Sequence, residues 1–224
     1  MRAAILDLAG TTMADDGLVL DAVRVGLRAA RVRLDGPRYP ALDRQARATM
    51  DRSTLTVFGE LLDGDMYRAR RAEGAFARFL ADAAAEGRVH EVDGAGEAVD
   101  ALRDAGLPVV IVTGFPSSLR DVLIEALGWT ARVDALFSPT DVGGRGLPDP
   151  ALLQAALKRC DLAAEHVALA GDATADIEGA VRAGVALTVA VRGGAHSESR
   201  LRAAGADAVI DSVADLPSLL GLPS

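Results

Sequence analysis

Three short stretches carry side chains suited to chemistry on a phosphoryl group. Near the N-terminus, Ala3-Ala4-Ile5-Leu6-Asp7-Leu8-Ala9-Gly10-Thr11-Thr12 places a carboxylate where an apolar run breaks into a glycine and two hydroxyls. Such a run reads as a fully buried strand with Asp7 at its end. There Asp7 suits nucleophilic attack on phosphorus, while loop amides and hydroxyls such as that of Thr11 hold the oxyanion. Val112-Thr113-Gly114 closes a second apolar run with a hydroxyl and a glycine amide, and Thr113 suits a phosphate oxygen. Gly171-Asp172-Ala173-Thr174-Ala175-Asp176 closes a third with two carboxylates spaced i, i+4, which can point the same way on a turn that opens a helix. Asp7, Asp172 and a backbone carbonyl supply the hard oxygen ligands that Mg2+ prefers, with water and substrate filling the octahedron. Gly-Asp after a strand also serves as an ordinary helix N-cap. It is the recurrence of such features at successive strand ends that favours a site.

The elements that must position these residues follow from the apolar pattern. From Gly94 onward helix and buried strand alternate. Helix 97–105 leads to strand 107–113 and helix 118–127. Strand 135–138 precedes helix 150–159, strand 167–170 precedes helix 175–183, and strand 186–191 precedes helix 197–204. Strand 208–210 and a terminal helix reaching Leu220 close the chain. Repeated strand–helix units with apolar strands predict an α/β fold, a doubly wound parallel sheet with helices on both faces. Its ligands belong outside the carboxyl ends of the strands. Residues 14–90 contain no convincing strand; amphipathic patterns over 17–34, from Ala41, over 53–62 (N-capped by Ser53) and over 66–86 predict an all-helical insert. The expected division is a core of residues 1–13 and 91–224 with a helical domain of 14–90 inserted.

Composition narrows the partners. The 224 residues carry a net charge of −8 and no lysine-arginine block, which argues against nucleic acid or an anionic membrane as a main partner. A single cysteine, Cys160, rules out an intramolecular disulfide and fits a reducing cytoplasm. No secretory signal and no transmembrane span is apparent. His90, His166 and His196 lack metal-ligand spacing and read as surface or packing residues.

The three strand-end stretches together resemble the haloacid dehalogenase superfamily, and more closely its phosphonatase-like branch. The resemblance covers essentially the whole chain. Asp7-Leu8-Ala9-Gly10-Thr11-Thr12 is similar to that branch's first motif, Val112-Thr113-Gly114 to the second, and Gly171-Asp172 to Asp176 to the fourth. It implies a Rossmann-like core with a helical C1 cap. It also implies a covalent aspartyl intermediate on Asp7, with Mg2+ on Asp7, the Ala9 carbonyl and Asp172. Asp176 would be an alternate or outer ligand, and Thr113 and Gly114 would hold the transferring group. A homodimer formed through the cap is known in that branch and stays open here.

Departures from the family pattern shape the expected activity. Phosphatases of the superfamily carry an acid two residues after the nucleophile, to protonate the leaving oxygen, whereas this chain has Ala9. Alanine there resembles the phosphonatases, but those form an imine on a cap lysine. The segment Met50-Asp51-Arg52-Ser53-Thr54 places Thr54 where that lysine is expected, and threonine forms no imine. The third motif's cation, expected immediately before Pro148-Asp149-Pro150, is replaced by Leu147. Arg145, two residues earlier in a glycine-rich loop, is the expected substitute, ahead of Lys158, the chain's only lysine. Arg47, Arg52, Ser53 and Thr54 are the expected cap contacts to substrate. The resulting expectation is an Mg2+-dependent hydrolase of a small phosphorylated metabolite acting through Asp7. Two alternatives stand beside it: a phosphonate C–P hydrolase without the imine, and a degenerate, non-catalytic binding protein.

Overall fold

The computed structural model describes residues 1–49 and 52–222. Six strands form one parallel sheet: β1 Ala3–Asp7, β2 Val109–Val112, β3 Ala135–Phe137, β4 Val167–Gly171, β5 Leu187–Val191 and β6 Ala208–Ile210. Their order is β3-β2-β1-β4-β5-β6, so the winding reverses between β1 and β4. That reversal splays the connections apart beyond the strand ends and leaves a crevice there. Asp7 and Val112 are register partners, as are Leu6 and Ala170, so Asp7, Thr113 and Asp172 emerge side by side at the crevice.

Alternation along β1 decides which layer each side chain joins. Ala4 and Leu6 pack into one core with Val109 and Ile111, under helices α5 (Ala95–Asp104) and α6 (Ser117–Ala126). Ala3 and Ile5 pack into the opposite core with Val110, Val112 and Leu169, under α7 (Ala151–Arg159) and α8 (Thr174–Ala183). Helix α9 (Glu198–Ala204) joins Ile177 and Ala190 in a smaller cluster through Leu201. The terminal helix is shorter than its apolar pattern suggests: a 3-10 turn over Val213–Asp215 precedes α10, Leu216–Leu219.

Residues 14–49 and 52–90 hold four helices and no named strand: α1 Leu18–Ala29, α2 Tyr39–Thr49, α3 Thr54–Leu61 and α4 Met66–Ala85. Helix α1 stops at Ala29, short of the expected Leu34, because Arg31 turns left-handed at φ 62°. Gly26 lets α1 approach α3 and α4, since a β-carbon there would sit 2.6 Å from the Phe58 ring and 2.8 Å from the Ala72 carbonyl. Phe58 and Phe76 meet edge-on at 5.9 Å, and Phe76 meets Phe115, in the loop after β2, at 5.6 Å. The two chain crossings between these helices and the sheet run side by side. The Ala14 amide donates to the His90 carbonyl at 3.0 Å and the Val92 amide to the Thr12 carbonyl at 2.9 Å.

Candidate active site

The loop after β1 is built to present Asp7. The Thr12 hydroxyl donates to the Asp7 carbonyl at 2.8 Å, and the Gly10 amide donates to the Met13 carbonyl at 2.8 Å, closing a tight turn. Gly10 takes φ +84°, and a β-carbon on it would lie 2.5 Å from an Asp172 oxygen, so side-chain-free backbone is required on both counts. The loop after β4 reaches the same point from the neighbouring strand. The Asp172 carboxylate accepts the Ala195 amide at 2.6 Å and the Thr11 hydroxyl at 3.4 Å. Asp176 accepts the Ala173 amide at 3.1 Å, capping the start of α8.

Asp7, Asp172 and Asp176 thus each offer a carboxylate oxygen, all within 4.8 Å of one another. Two unit charges at that separation repel by about 0.9 kcal/mol in bulk water and about 3.5 kcal/mol at an effective dielectric of 20. The donor set is all hard oxygen, Asp172 and Asp176 are 3% and 2% exposed, and the mutual repulsion calls for a compensating cation. These residues therefore fit a Mg2+ ion.

Above the cluster lies a cleft of about 600 Å³. Asp7, Ala9, Thr113, Gly114, Asp172 and Asp176 all line it, as the sequence suggests. Of the other expected residues, Arg47 also lines it, whereas Thr11, Arg52, Ser53, Thr54 and Arg145 do not. Thr11 is fully buried behind Asp172 and serves it as a donor. Arg145 is exposed outside the lining, its Nε donating to the Val142 carbonyl at 3.3 Å, and Lys158 is exposed in the last turn of α7. The position expected to hold the motif's cation is filled by Leu147, which is buried against Gly179 in the core beneath α7 and α8.

The segment leading into α3 also departs from expectation. Met50 and Asp51 lie outside the described residues. Arg52 pairs with Glu60 at 3.1 Å, away from the cleft. Ser53 occupies the cap position of α3 but makes no capping bond with its side chain; it packs against Gly146. The Thr54 amide donates to the Gly114 carbonyl at 3.1 Å and its hydroxyl to Glu73 Oε1 at 3.1 Å. Burial pushes the Glu73 carboxyl above its ordinary value, against the opposing pull of that hydroxyl. Arg52, Ser53 and Thr54 thus fasten the helical block to the loops after β2 and β3 and leave Arg47 as the cap residue that lines the cleft.

Several lining residues escaped the sequence reading. Arg192 follows β5 and lines the cleft, bracketed by Glu198 at 2.8 Å and by Asp211. Gly194, two residues on, packs against the Asp172 side chain so closely that a β-carbon has no room. The signal was a Val191-Arg192-Gly193-Gly194 strand end, similar in outline to the other three. His196 is buried and packs as expected, its Nδ1 accepting the Thr174 amide at 3.0 Å. Asp15 also lines the cleft, and burial pushes its carboxyl above the ordinary carboxylate value. Among the described residues, Arg47 and Arg192 are the cleft's cationic side chains, set among six aspartates.

A family model for haloacid dehalogenase-like hydrolases matches residues 1–184. A phosphoglycolate phosphatase of Shigella boydii is 30% identical over 193 residues, covering 83% of this chain and 73% of its own. A plasmid-encoded phosphoglycolate phosphatase of Cupriavidus necator is 32% identical over 153 residues, covering 68% and 64%. An N-acetylmuramic acid 6-phosphate phosphatase of Pseudomonas aeruginosa is 33% identical over 129 residues, covering 57% and 56%. The matches thus span just under two thirds of the Cupriavidus protein and just over half of the Pseudomonas protein. Among solved structures, a hydrolase from Pseudomonas syringae superposes with a TM-score of 0.84 at 22% identity, covering 99% of this chain and 98% of its own. A HAD family hydrolase from Deinococcus radiodurans with bound phosphate and sodium superposes at 0.70 and 21%, covering 99% and 95%. These superpositions speak for the fold.

Proposed function

The chain belongs to the haloacid dehalogenase-like hydrolases, and on that footing we propose that it is a phosphatase of small phosphorylated metabolites, working through a phosphorylated Asp7. The observation that carries the reading is the convergence of Asp7, Asp172 and Asp176 within 4.8 Å at the floor of an open cleft. Asp7 attacks phosphorus from the end of β1, where the tight Gly10 turn fixes its backbone. The Thr113 hydroxyl and Gly114 amide hold the oxygens of the transferring group. Asp7, the Ala9 carbonyl, Asp172 and Asp176 would hold Mg2+, which would supply positive charge against the negative charge on the phosphoryl oxygens. In place of the cation absent at Leu147, Arg192 and Arg47 are the side chains able to balance the substrate's charge. Residues 1–13 and 91–224 act as the catalytic core and 14–90 as a cap that covers the cleft. We place the protein in the cytoplasm, where Cys160 stays reduced.

The substrate class is read as a small organic phosphate, with phosphoglycolate first among the candidates because curated relatives bear that name. The phosphonatase-like branch rests on the three strand-end motifs, with Ala9 in the first of them. The Thr54 hydroxyl is engaged with Glu73, in the place of the lysine an imine requires, so C–P cleavage is the lesser reading. The test is phosphate release from a panel of phosphoesters, acyl phosphates and phosphonoacetaldehyde, with Mg2+ and with EDTA. Metal-dependent release from phosphoesters supports the phosphatase. Release from phosphonoacetaldehyde alone would move the chain to phosphonates, and silence throughout would favour a non-catalytic role.

A further inference from the structure

We propose that Asp15 delivers the proton to the departing oxygen of the substrate, the task that Ala9 has no group to perform. The inference rests on the phosphatase reading above. The cleft's carboxylates divide by surroundings. Asp7, Asp172 and Asp176 form the converging cluster, where negative charge is needed for attack and for metal binding. Asp211 is engaged by Arg192, and Asp16 is exposed and paired with His90 at 3.1 Å. Asp15 is the remaining carboxylate of the lining, half-buried where the chain crosses from the sheet into α1.

Its geometry suits a proton donor. Oδ1 accepts the Val19 amide at 2.7 Å, which anchors the carboxyl to the first turn of α1. Among the described residues no other hydrogen bond or ion pair to this carboxyl is found, so Oδ2 is the oxygen available to carry the proton. Burial raises the carboxyl's pKa, opposed by the Val19 bond, and the neighbouring charges of Asp16 and Asp21 push the same way as burial. Arg47 from α2, and Arg192 and Asp211 from beyond β5 and β6, are the other charged groups facing this part of the cleft. One cleft therefore holds a converging carboxylate cluster beside a separate carboxyl that burial shifts toward its neutral form, the kind of division that acid–base catalysis uses.

The step balances. As the Asp7 oxygen bonds to phosphorus, the phosphorus bond to the leaving oxygen breaks, and that oxygen takes the proton from Asp15 Oδ2. When water then attacks the phosphorylated Asp7, Asp15 accepts a proton from that water, and the enzyme returns to its starting state with inorganic phosphate released.

The plainer role for Asp15 is to cap α1, and Asp15→Asn separates the two, because asparagine caps as well as aspartate but carries no acidic proton. The experiment compares kcat/KM of the full chain and Asp15→Asn on p-nitrophenyl phosphate, whose leaving group needs no proton, and on an alkyl phosphate. The expected loss on the alkyl phosphate exceeds that on p-nitrophenyl phosphate by about 100-fold, the lower end of a general acid's contribution. The alkaline limb of the alkyl phosphate profile should disappear with it. Asp15→Glu, which keeps the acid, should recover part of the lost rate. Equal losses on both substrates, or an alkaline limb unchanged in Asp15→Asn, would overturn the role of Asp15 alone. A wild-type protein inert on both substrates would overturn the phosphatase reading and this one with it.

Discussion

Replacing Asp7 by asparagine should stabilise the metal-free protein while removing its response to Mg2+. The three carboxylates lie within 4.8 Å of one another. Neutralising Asp7 deletes two of the three pairwise repulsions, each about 3.5 kcal/mol at an effective dielectric of 20 and about 0.9 in bulk water. Asp7 is only partly buried and the cleft is open to solvent, so the watery end of that range applies. The two terms then sum to about 2 kcal/mol, which at about 2–4 °C per kcal/mol for a chain of this size raises Tm by about 4–8 °C. The wild type should gain about 2.7 kcal/mol from Mg2+ at one hundred times its Kd, a rise of about 5–11 °C by the same conversion. Asp7→Asn should gain much less. Thermal unfolding of both proteins in EDTA and in graded MgCl2 reads all four values. A metal-free Asp7→Asn that is no more stable than wild type, or a wild type indifferent to Mg2+, refutes the claim that this cluster is a cation site.

Other consequences are open to direct measurement. Gly194→Ala forces a β-carbon into the Asp172 side chain; it should lower stability by about 1–3 kcal/mol, the usual range for overpacking, and weaken Mg2+ binding, both read by thermal unfolding with and without the metal. Arg192→Gln should raise KM for the phosphorylated substrate more than Arg145→Gln does, since Arg192 lines the cleft and Arg145 points at the Val142 carbonyl; steady-state kinetics on both variants decides it. Glu73 has a raised folded-state pKa, so its contribution to stability is greatest in acid and declines as pH rises above the ordinary glutamate value near 4.5. Glu73→Gln, which keeps an acceptor for Thr54, should therefore raise Tm at pH 7 to 8 and not near pH 4; a uniform shift across pH would contradict burial as the cause.

Much of this architecture is legible in the sequence because a parallel sheet writes itself in plain terms. Runs such as Val109-Val110-Ile111-Val112 are buried on both faces, so they stand out as continuous apolar segments, and the residue that ends each run falls at the ligand-binding edge. Asp7, Thr113 and Asp172 stand at such ends, of β1, β2 and β4. What sequence could not supply was the identity of residues whose roles depend on contacts far along the chain. Thr54 meets Glu73 and Gly114 only once the helices have folded onto the loop after β2, so its part in fastening that contact has no local signature. Arg145 looked like a substitute cation from its nearness to Leu147 in sequence. The loop's own Val142 carbonyl holds it instead, while a strand end nearly fifty residues later brings Arg192 into the cleft. Asp15 belongs to none of the strand-end motifs, and only the fold shows that the carboxyl that accepts the Val19 amide also lines the cleft.

The most direct test of the central claim is to look for phosphate on Asp7 itself. Wild-type protein is mixed with a substrate found active in the panel, quenched in acid during turnover, and digested for mass spectrometry; borohydride reduction of a parallel sample marks an acyl phosphate. A phosphate adduct is expected on the peptide holding Asp7, reducible at that residue, absent in EDTA and absent in Asp7→Asn. Turnover with no adduct on any aspartate, or undiminished turnover by Asp7→Asn, would contradict the claim.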